Sequence, residues 1–227
     1  MWECGDAITQ AFTRWRFDMM QHARITTLLV GLTSVAWLAS LALGQFYDVN
    51  AFGGFVPARV SGEMTIIGAL PVWATPLSAT FLHADIFHLG FNMLMLFWCG
   101  RQIEPALGAR LYLLLYGIGA YAAALGQWAL SPHDGSVMIG ASGAISAVVA
   151  VYALVFSEQK VQPIGPIPAY VVRVAWLAAA WVGVQALIGF GFGFGGGLIA
   201  VGAHIGGFIA GLLLARPMLR MRYRNRG

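Results

Sequence analysis

The sequence predicts an all-α membrane protein of six transmembrane helices with both termini in the cytoplasm. Three observations predict it: little charge, a series of span-length apolar runs, and basic residues gathered on alternate sides of those runs. Of 227 residues, 59% are hydrophobic and only 10% are Asp, Glu, Lys or Arg. A soluble domain carries roughly 25% charged residues to cover its surface. Lipid removes that need, but every backbone polar group must then be satisfied within a helix or a closed barrel.

A helix needs roughly 20 apolar residues to cross the hydrocarbon core. Residues 25–44, 86–100, 111–129, 137–156, 174–194 and 198–215 are such runs. The second is short, so its helix is expected to begin near His83. No A-x-A-like cleavage site ends the first run, which therefore reads as a span and not as a cleaved signal.

Arg14, Arg16 and Arg24 precede the first run, Arg101 and Arg110 separate the second from the third, and Lys160 and Arg173 separate the fourth from the fifth. Arg216, Arg220, Arg222, Arg224 and Arg226 follow the sixth. Of the 13 basic residues only Arg59 falls on the other side, and the positive-inside rule makes the crowded side the cytoplasm. Both termini on one side require an even number of spans, so charge and span count agree independently. The expected organisation is a cytoplasmic tail (1–24), a six-helix membrane domain (25–216) and a basic cytoplasmic tail (217–227). The net charge of +4 and pI near 9.4 reflect this topology. No basic stripe fit for nucleic acid is present.

The first outer loop, 45–80, is long and carries Phe46, Tyr47, Phe52, Phe55 and Trp73, so it is expected to lie partly in the membrane interface. Residues 189–197 alternate Gly and Phe and end in three glycines. They read equally as a flexible hairpin or as a hydrophobic gate. Cys4 lies in the tail and Cys99 deep in an apolar run, so Cys99 is expected to be a packing residue, not half of a disulfide.

Polar groups inside spans are costly and are functional candidates by default. The second, fourth and sixth spans, which all run from outside to inside, carry them. His83, His88 and Asn92 stand at the start of the second. Ser142 lies in Gly140-Ala141-Ser142-Gly143-Ala144, and His204 in Gly202-Ala203-His204-Ile205-Gly206-Gly207. Ser142 is five residues into its run and His204 six into its own, which puts both roughly 8–9 Å below the outer entry. Asn92 follows His88 by four residues and shares its helix face.

These are parts for acyl transfer. A serine hydroxyl needs a neighbouring base before it is a good nucleophile. His204 supplies one, and can return the proton to the leaving amine. His88, Asn92 and the Ser142 backbone N–H are available to hold a developing oxyanion. Asp85 is nearer the outer edge, and Glu104 is roughly 24 Å along the helix from His88. The expectation is therefore a Ser142–His204 dyad without an acid. Ala203, Gly207 and Gly211 recur every four residues, and Gly140, Gly143 and Ala144 surround Ser142 with small groups. Such small-residue rows let two helix backbones approach closely, as a Ser–His hydrogen bond between spans requires. Singly each feature is weak: a serine in a span is most often helix–helix glue. Their conjunction at one depth is the signal.

With these residues assembled, the chain resembles the rhomboid family of intramembrane serine proteases. The matching stretches are Phe81-Leu82-His83, His88, Asn92-Met93, Glu104 with Gly108, Gly140 to Ala144, and Ala203 to Gly207, in order and spacing over about 70–215. The resemblance implies a rhomboid-like bundle, with Ser142 as nucleophile, His204 as base, and His88 and Asn92 in the oxyanion hole. It implies that Glu104 organises the cytoplasmic end of the second span, and that His83 supports the first loop. It implies transmembrane protein substrates cut near the outer membrane face, beside a small residue, with no metal and no organic cofactor. A multi-pass protein of a bacterial plasma membrane is the expected setting. Two departures stand out. Where many members carry a Trp-Arg pair before the first motif histidine, this chain has Ala74 and Thr75, with Trp73 one place off. Where some members stack an aromatic on the catalytic histidine, it has Ser146.

A catalytically inactive relative that binds or escorts membrane proteins is the main rival, and retention of both Ser142 and His204 argues against it. A transporter would show an ionisable path or paired broken helices. A metalloprotease would show His-Glu-x-x-His. An α/β-hydrolase would place its serine after a strand and within Gly-x-Ser-x-Gly, but here Ala144 stands in the last place.

Overall fold

The structure, a computed structural model, describes residues 23–44, 48–156, 161–191 and 200–224. Among them the long elements are all helical: α1 (Arg24–Leu43), α2 (Ile86–Leu107), α3 (Ala109–Leu130), α4 (Ser142–Phe156), α5 (Ala169–Gly191) and α6 (Val201–Tyr223). Extended pairing among the described residues is limited to two isolated bridges. The tail 1–22, residues 192–199 of the Gly/Phe segment and Cys4 lie outside the described residues. Cys99 is a buried free thiol in the main core cluster.

By length and hydropathy α1, α3 and α6 can each cross a membrane. A fourth span results if the bent pair Val72–Phe81 and Ile86–Leu107, meeting at 90°, is counted as one. α4 and the apolar stretch Val171–Trp181 of α5 are shorter.

The departure from the expected boundaries that bears on the site is at α4. The run 137–156 was expected to be one helix, but α4 begins at Ser142. The five residues before it are not helical, and Met138 among them forms an antiparallel bridge with Phe55. Met138 donates to the Phe55 carbonyl at 2.7 Å and accepts from the Phe55 N–H at 2.9 Å, and Gly140 has φ +117°. Hydropathy does not distinguish a buried extended segment from a helix. Other boundaries differ too, among them that α2 runs on to Leu107 and α5 begins at Ala169. α2 starts at Ile86, not near His83, because Asp85 caps it, its carboxylate accepting from the Phe87 and His88 N–H groups at 2.8 and 2.9 Å. α6 continues past 215 to Tyr223, with Arg220 and Arg222 in its last turn, where cations favour the helix C-terminus.

The first loop folds into short helices at Val49–Gly53, Pro57–Val60 and Thr75–Ser78, with 3₁₀ turns at Val72–Ala74 and Ala79–Phe81. It is stitched to the α3–α4 loop. Ala58 donates to the Asp134 carbonyl at 3.0 Å, Ser61 to the Pro132 carbonyl at 2.8 Å, and Glu63 pairs with His133 at 2.6 Å on the surface.

α6 lies against both α3 and α4, and glycines make this possible. A Cβ on Gly207 would overlap the Gly143 carbonyl oxygen, and one on Gly211 the Ala147 carbonyl oxygen. One turn-face away, a Cβ on Gly206 would overlap the Ala122 carbonyl oxygen, and one on Gly202 would stand 2.7 Å from the Gly126 carbonyl oxygen. One row of small residues therefore receives α4 and the next receives α3. Lipid supplies no hydrophobic drive between helices, so such close backbone packing is what holds them. α1 is peripheral. Its buried residues are the single stripe Thr26, Leu29, Thr33 and Trp37, while Leu28, Leu32, Val35 and Leu38 are exposed, as a lipid-facing helix requires.

Candidate active site

Ser142 is the first residue of α4 and His204 lies in the first turn of α6. The close approach at Gly143 and Gly207 brings the two side chains together, Ser142 Oγ lying 2.8 Å from His204 Nε2. The hydroxyl donates in this bond when the imidazole carries its proton on Nδ1. Both residues line a cavity of about 310 Å³, together with His88, Gly140, Thr80 and Gln127. His204 is 4% exposed, and its Nδ1 has no hydrogen-bond partner among the described residues.

The late start of α4 has a chemical consequence. Had the helix begun at 137, the Ser142 N–H would be bonded to the Met138 carbonyl, but that carbonyl accepts from Phe55. The first intrahelical bond of α4 instead runs from the Ile145 N–H to the Ala141 carbonyl. The N–H groups of Ser142, Gly143 and Ala144 therefore have no acceptor within the helix. They form a positive helix end directed at the cavity.

Gly140 is where the chain must lack a side chain. Its φ is +117°, and a Cβ there would stand 2.7 Å from His88 Cε1 and 2.8 Å from His88 Nε2. The His88 ring is thus laid against the segment leading to Ser142. His83 holds the same segment from the other side. It is 3% exposed, its Nε2 accepts a long bond from the Ala141 N–H at 3.4 Å, and its ring meets the His88 ring edge-on with centroids 5.0 Å apart. Asn92 is placed differently. It is 2% exposed, its amide donates to the His88 carbonyl at 2.8 Å, and it is not among the residues lining the cavity.

Glu104 stands at the far end of α2 and takes no part in the cavity. Its carboxylate accepts from the Ile25 N–H at 2.9 Å, the Thr26 N–H at 2.7 Å and the Thr26 hydroxyl at 2.8 Å. It caps α1 from another helix, because α1 has no side-chain cap of its own.

Two contributors, Trp37 and Trp181, are not legible in the sequence. Trp37 of α1 donates its indole N–H to the His83 carbonyl at 3.0 Å. Trp181 of α5 donates to Ser146 Oγ at 2.6 Å, and Ser146 donates to the Ser142 carbonyl at 2.7 Å. No spacing rule announces either tryptophan. The capping by Asp85 was legible, since an Asp directly before a helical run is a start signal.

Comparison with known proteins falls on the same stretch of chain. The family model of the rhomboid domain matches residues 71–221. Rhomboid protease GlpG of Serratia proteamaculans is 29% identical over 151 residues, 66% of this chain and 49% of that protein. Rhomboid-like protein 11, chloroplastic, of Arabidopsis thaliana is 29% identical over 189 residues, 79% of this chain and 63% of that protein. Rhomboid protease GluP of Bacillus subtilis is 29% identical over 146 residues, 64% of this chain and 26% of that protein. This chain thus spans less than two thirds of each of these relatives. The matched stretch contains α2 to α4, most of α6 and both members of the Ser142–His204 contact, and on that match the chain belongs to the rhomboid family.

Proposed function

We propose that this protein is an intramembrane serine endopeptidase that cuts transmembrane segments of other proteins near the outer membrane face. The observation that carries the reading is the 2.8 Å contact between Ser142 Oγ and His204 Nε2 at the wall of a cavity. Ser142 attacks the scissile carbonyl as His204 takes its proton, and His204 then hands that proton to the leaving amine. Water repeats the sequence on the acyl-enzyme. The oxyanion is held by the Ser142 backbone N–H at the start of α4 and by His88. Asn92, whose amide spends one N–H on the His88 carbonyl, offers its second. No carboxylate contacts His204 among the described residues, so the reading is a dyad. Gly140, Gly143 and Gly207 serve it by allowing close approach, His83 by holding Ala141, and Glu104 by joining α1 to α2.

The same proposal takes α1 to α6 as six spans with both termini cytoplasmic. The basic residues support it, and so does the non-helical segment before α4, which lets a 15-residue helix belong to a longer crossing. We place the protein in a bacterial plasma membrane, in line with the Serratia and Bacillus relatives, with residues 1–24 and 217–227 on the cytoplasmic side.

The test is cleavage of a single-span model substrate by purified protein in liposomes, comparing wild type with Ser142→Ala and His204→Ala, with and without EDTA. Cleavage that both substitutions abolish and EDTA leaves unchanged supports the dyad. Cleavage that survives either substitution overturns it. Lack of both cleavage and fluorophosphonate labelling at Ser142 would favour the inactive, escorting reading.

A further inference from the structure

Ser146 sits one helical turn after Ser142 and is fully buried, at 0% exposure. A serine in a helix interior has two usual fates, solvent or the carbonyl four residues back. Ser146 takes the second, donating to the Ser142 carbonyl at 2.7 Å. The direction of that bond is not left to chance. Trp181 of α5, 5% exposed, approaches Ser146 Oγ to 2.6 Å with its indole N–H. An indole nitrogen can only donate, and a serine hydroxyl has a single proton. Ser146 must therefore accept from Trp181 and spend its own proton on the Ser142 carbonyl. The helix α6 closes the other side, since a Cβ on Gly207, three residues after His204, would stand 3.3 Å from Ser146 Cβ. The hydroxyl thus lies between the helix bearing Ser142 and the helix bearing His204, and α5 dictates where it points.

We infer that Trp181 and Ser146 form a positioning pair, which orients Ser142 toward His204 and ties the reactivity of the nucleophile to the location of α5. Neither residue touches substrate or a reacting atom. Their effect runs through the backbone of Ser142, the first residue of α4, where few helical hydrogen bonds hold the peptide planes. The inference rests on the Ser–His reading above.

The test uses the full chain in liposomes with Trp181→Phe, which keeps a large ring and removes the N–H, Ser146→Ala, and the double variant. Three quantities are measured: kcat and KM on a single-span substrate, the rate of fluorophosphonate labelling at Ser142, and the unfolding midpoint. Each single variant is expected to lower kcat per folded molecule and the labelling rate by about 10-fold, within the range that small misplacements of reacting groups produce, with KM unchanged, while Ser146→Ala also lowers the midpoint because the buried Trp181 N–H loses its acceptor. The double variant is expected to be no worse than the worse single one, because both act through one hydrogen-bonded chain. Wild-type kcat in both single variants overturns the inference. So do losses that multiply in the double variant, or losses that disappear when kcat and labelling are expressed per folded molecule. Failure of the wild type to label at Ser142 is a separate result, and overturns the Ser–His reading itself.

Discussion

The two ends of α2 hold buried polar centres that are finished in opposite ways. At Glu104 both carboxylate oxygens are engaged, by two backbone N–H groups and a hydroxyl from α1. Around the cavity at the other end, His204 Nδ1, His83 Nδ1, Asn92 Oδ1 and Gln127 Oε1 are buried without a partner among the described residues. A buried polar group left unpaired costs about 1–3 kcal/mol, so such a cluster weakens the fold where it sits. A saturated centre does the reverse: it contributes bonds to a charged group and admits nothing more. The difference teaches that burial alone does not mark a site. Glu104 is as buried as Asn92, at 2% each, but both its carboxylate oxygens are engaged, while the Asn92 Oδ1 is not.

The comparison can be broken most severely at the reacting pair. Ser142→Ala or His204→Ala is expected to lower kcat by at least ~10³-fold while leaving the unfolding midpoint at or above that of wild type. A parallel loss of stability in a denaturant titration would show that this end also holds the fold. Glu104→Ala is expected to do the opposite. Stability should fall by about 3 kcal/mol, because buried N–H and hydroxyl donors of α1 lose their acceptor, with kcat per folded molecule unchanged. Calibrated unfolding in mixed micelles, followed by assay of the folded fraction, separates the two effects. Gly207→Ala should fall between them, because its Cβ meets the Gly143 carbonyl oxygen and must push α6 from α4. A stability loss of about 1–3 kcal/mol is expected together with slower fluorophosphonate labelling, and normal labelling would show that the Ser–His contact tolerates the shift. The smallest effect is expected at the surface pair Glu63–His133. It is exposed, so His133→Ala should change stability by no more than about 0.5 kcal/mol in the same unfolding measurement.

Much of this was readable beforehand. The apolar runs announce α1, α3 and the first half of α6 because hydrocarbon thickness demands their length. The small residues at 203, 207 and 211 announce the α4–α6 contact. The neighbouring row at 202 and 206, which receives α3, has the same four-residue spacing and was equally available. The reach of α6 to Tyr223 was not, since its last turns are charged and hydropathy ends where the apolar run does. Asn92 shows the limit of periodicity. Its spacing from His88 puts both residues on one helix face, but only packing decides that one N–H of its amide goes to the His88 carbonyl.

By itself, the sequence determined the helical class, the membrane setting, the family, and the residues Ser142 and His204 as partners to be tested. Each of these follows from composition, from local spacing, or from motifs along the chain. Tertiary structure alone decided that α4 starts at Ser142, because the residues before it are tied to segments far away in sequence, Met138 to Phe55 and the Gly140 N–H to the Ala79 carbonyl. It also decided that Glu104 caps α1 and that Trp181 directs the Ser146 hydroxyl. The physical reason is common to all three. A backbone or side-chain polar group buried away from water must find a partner, and when that partner lies on a distant segment, no local pattern along the chain records it.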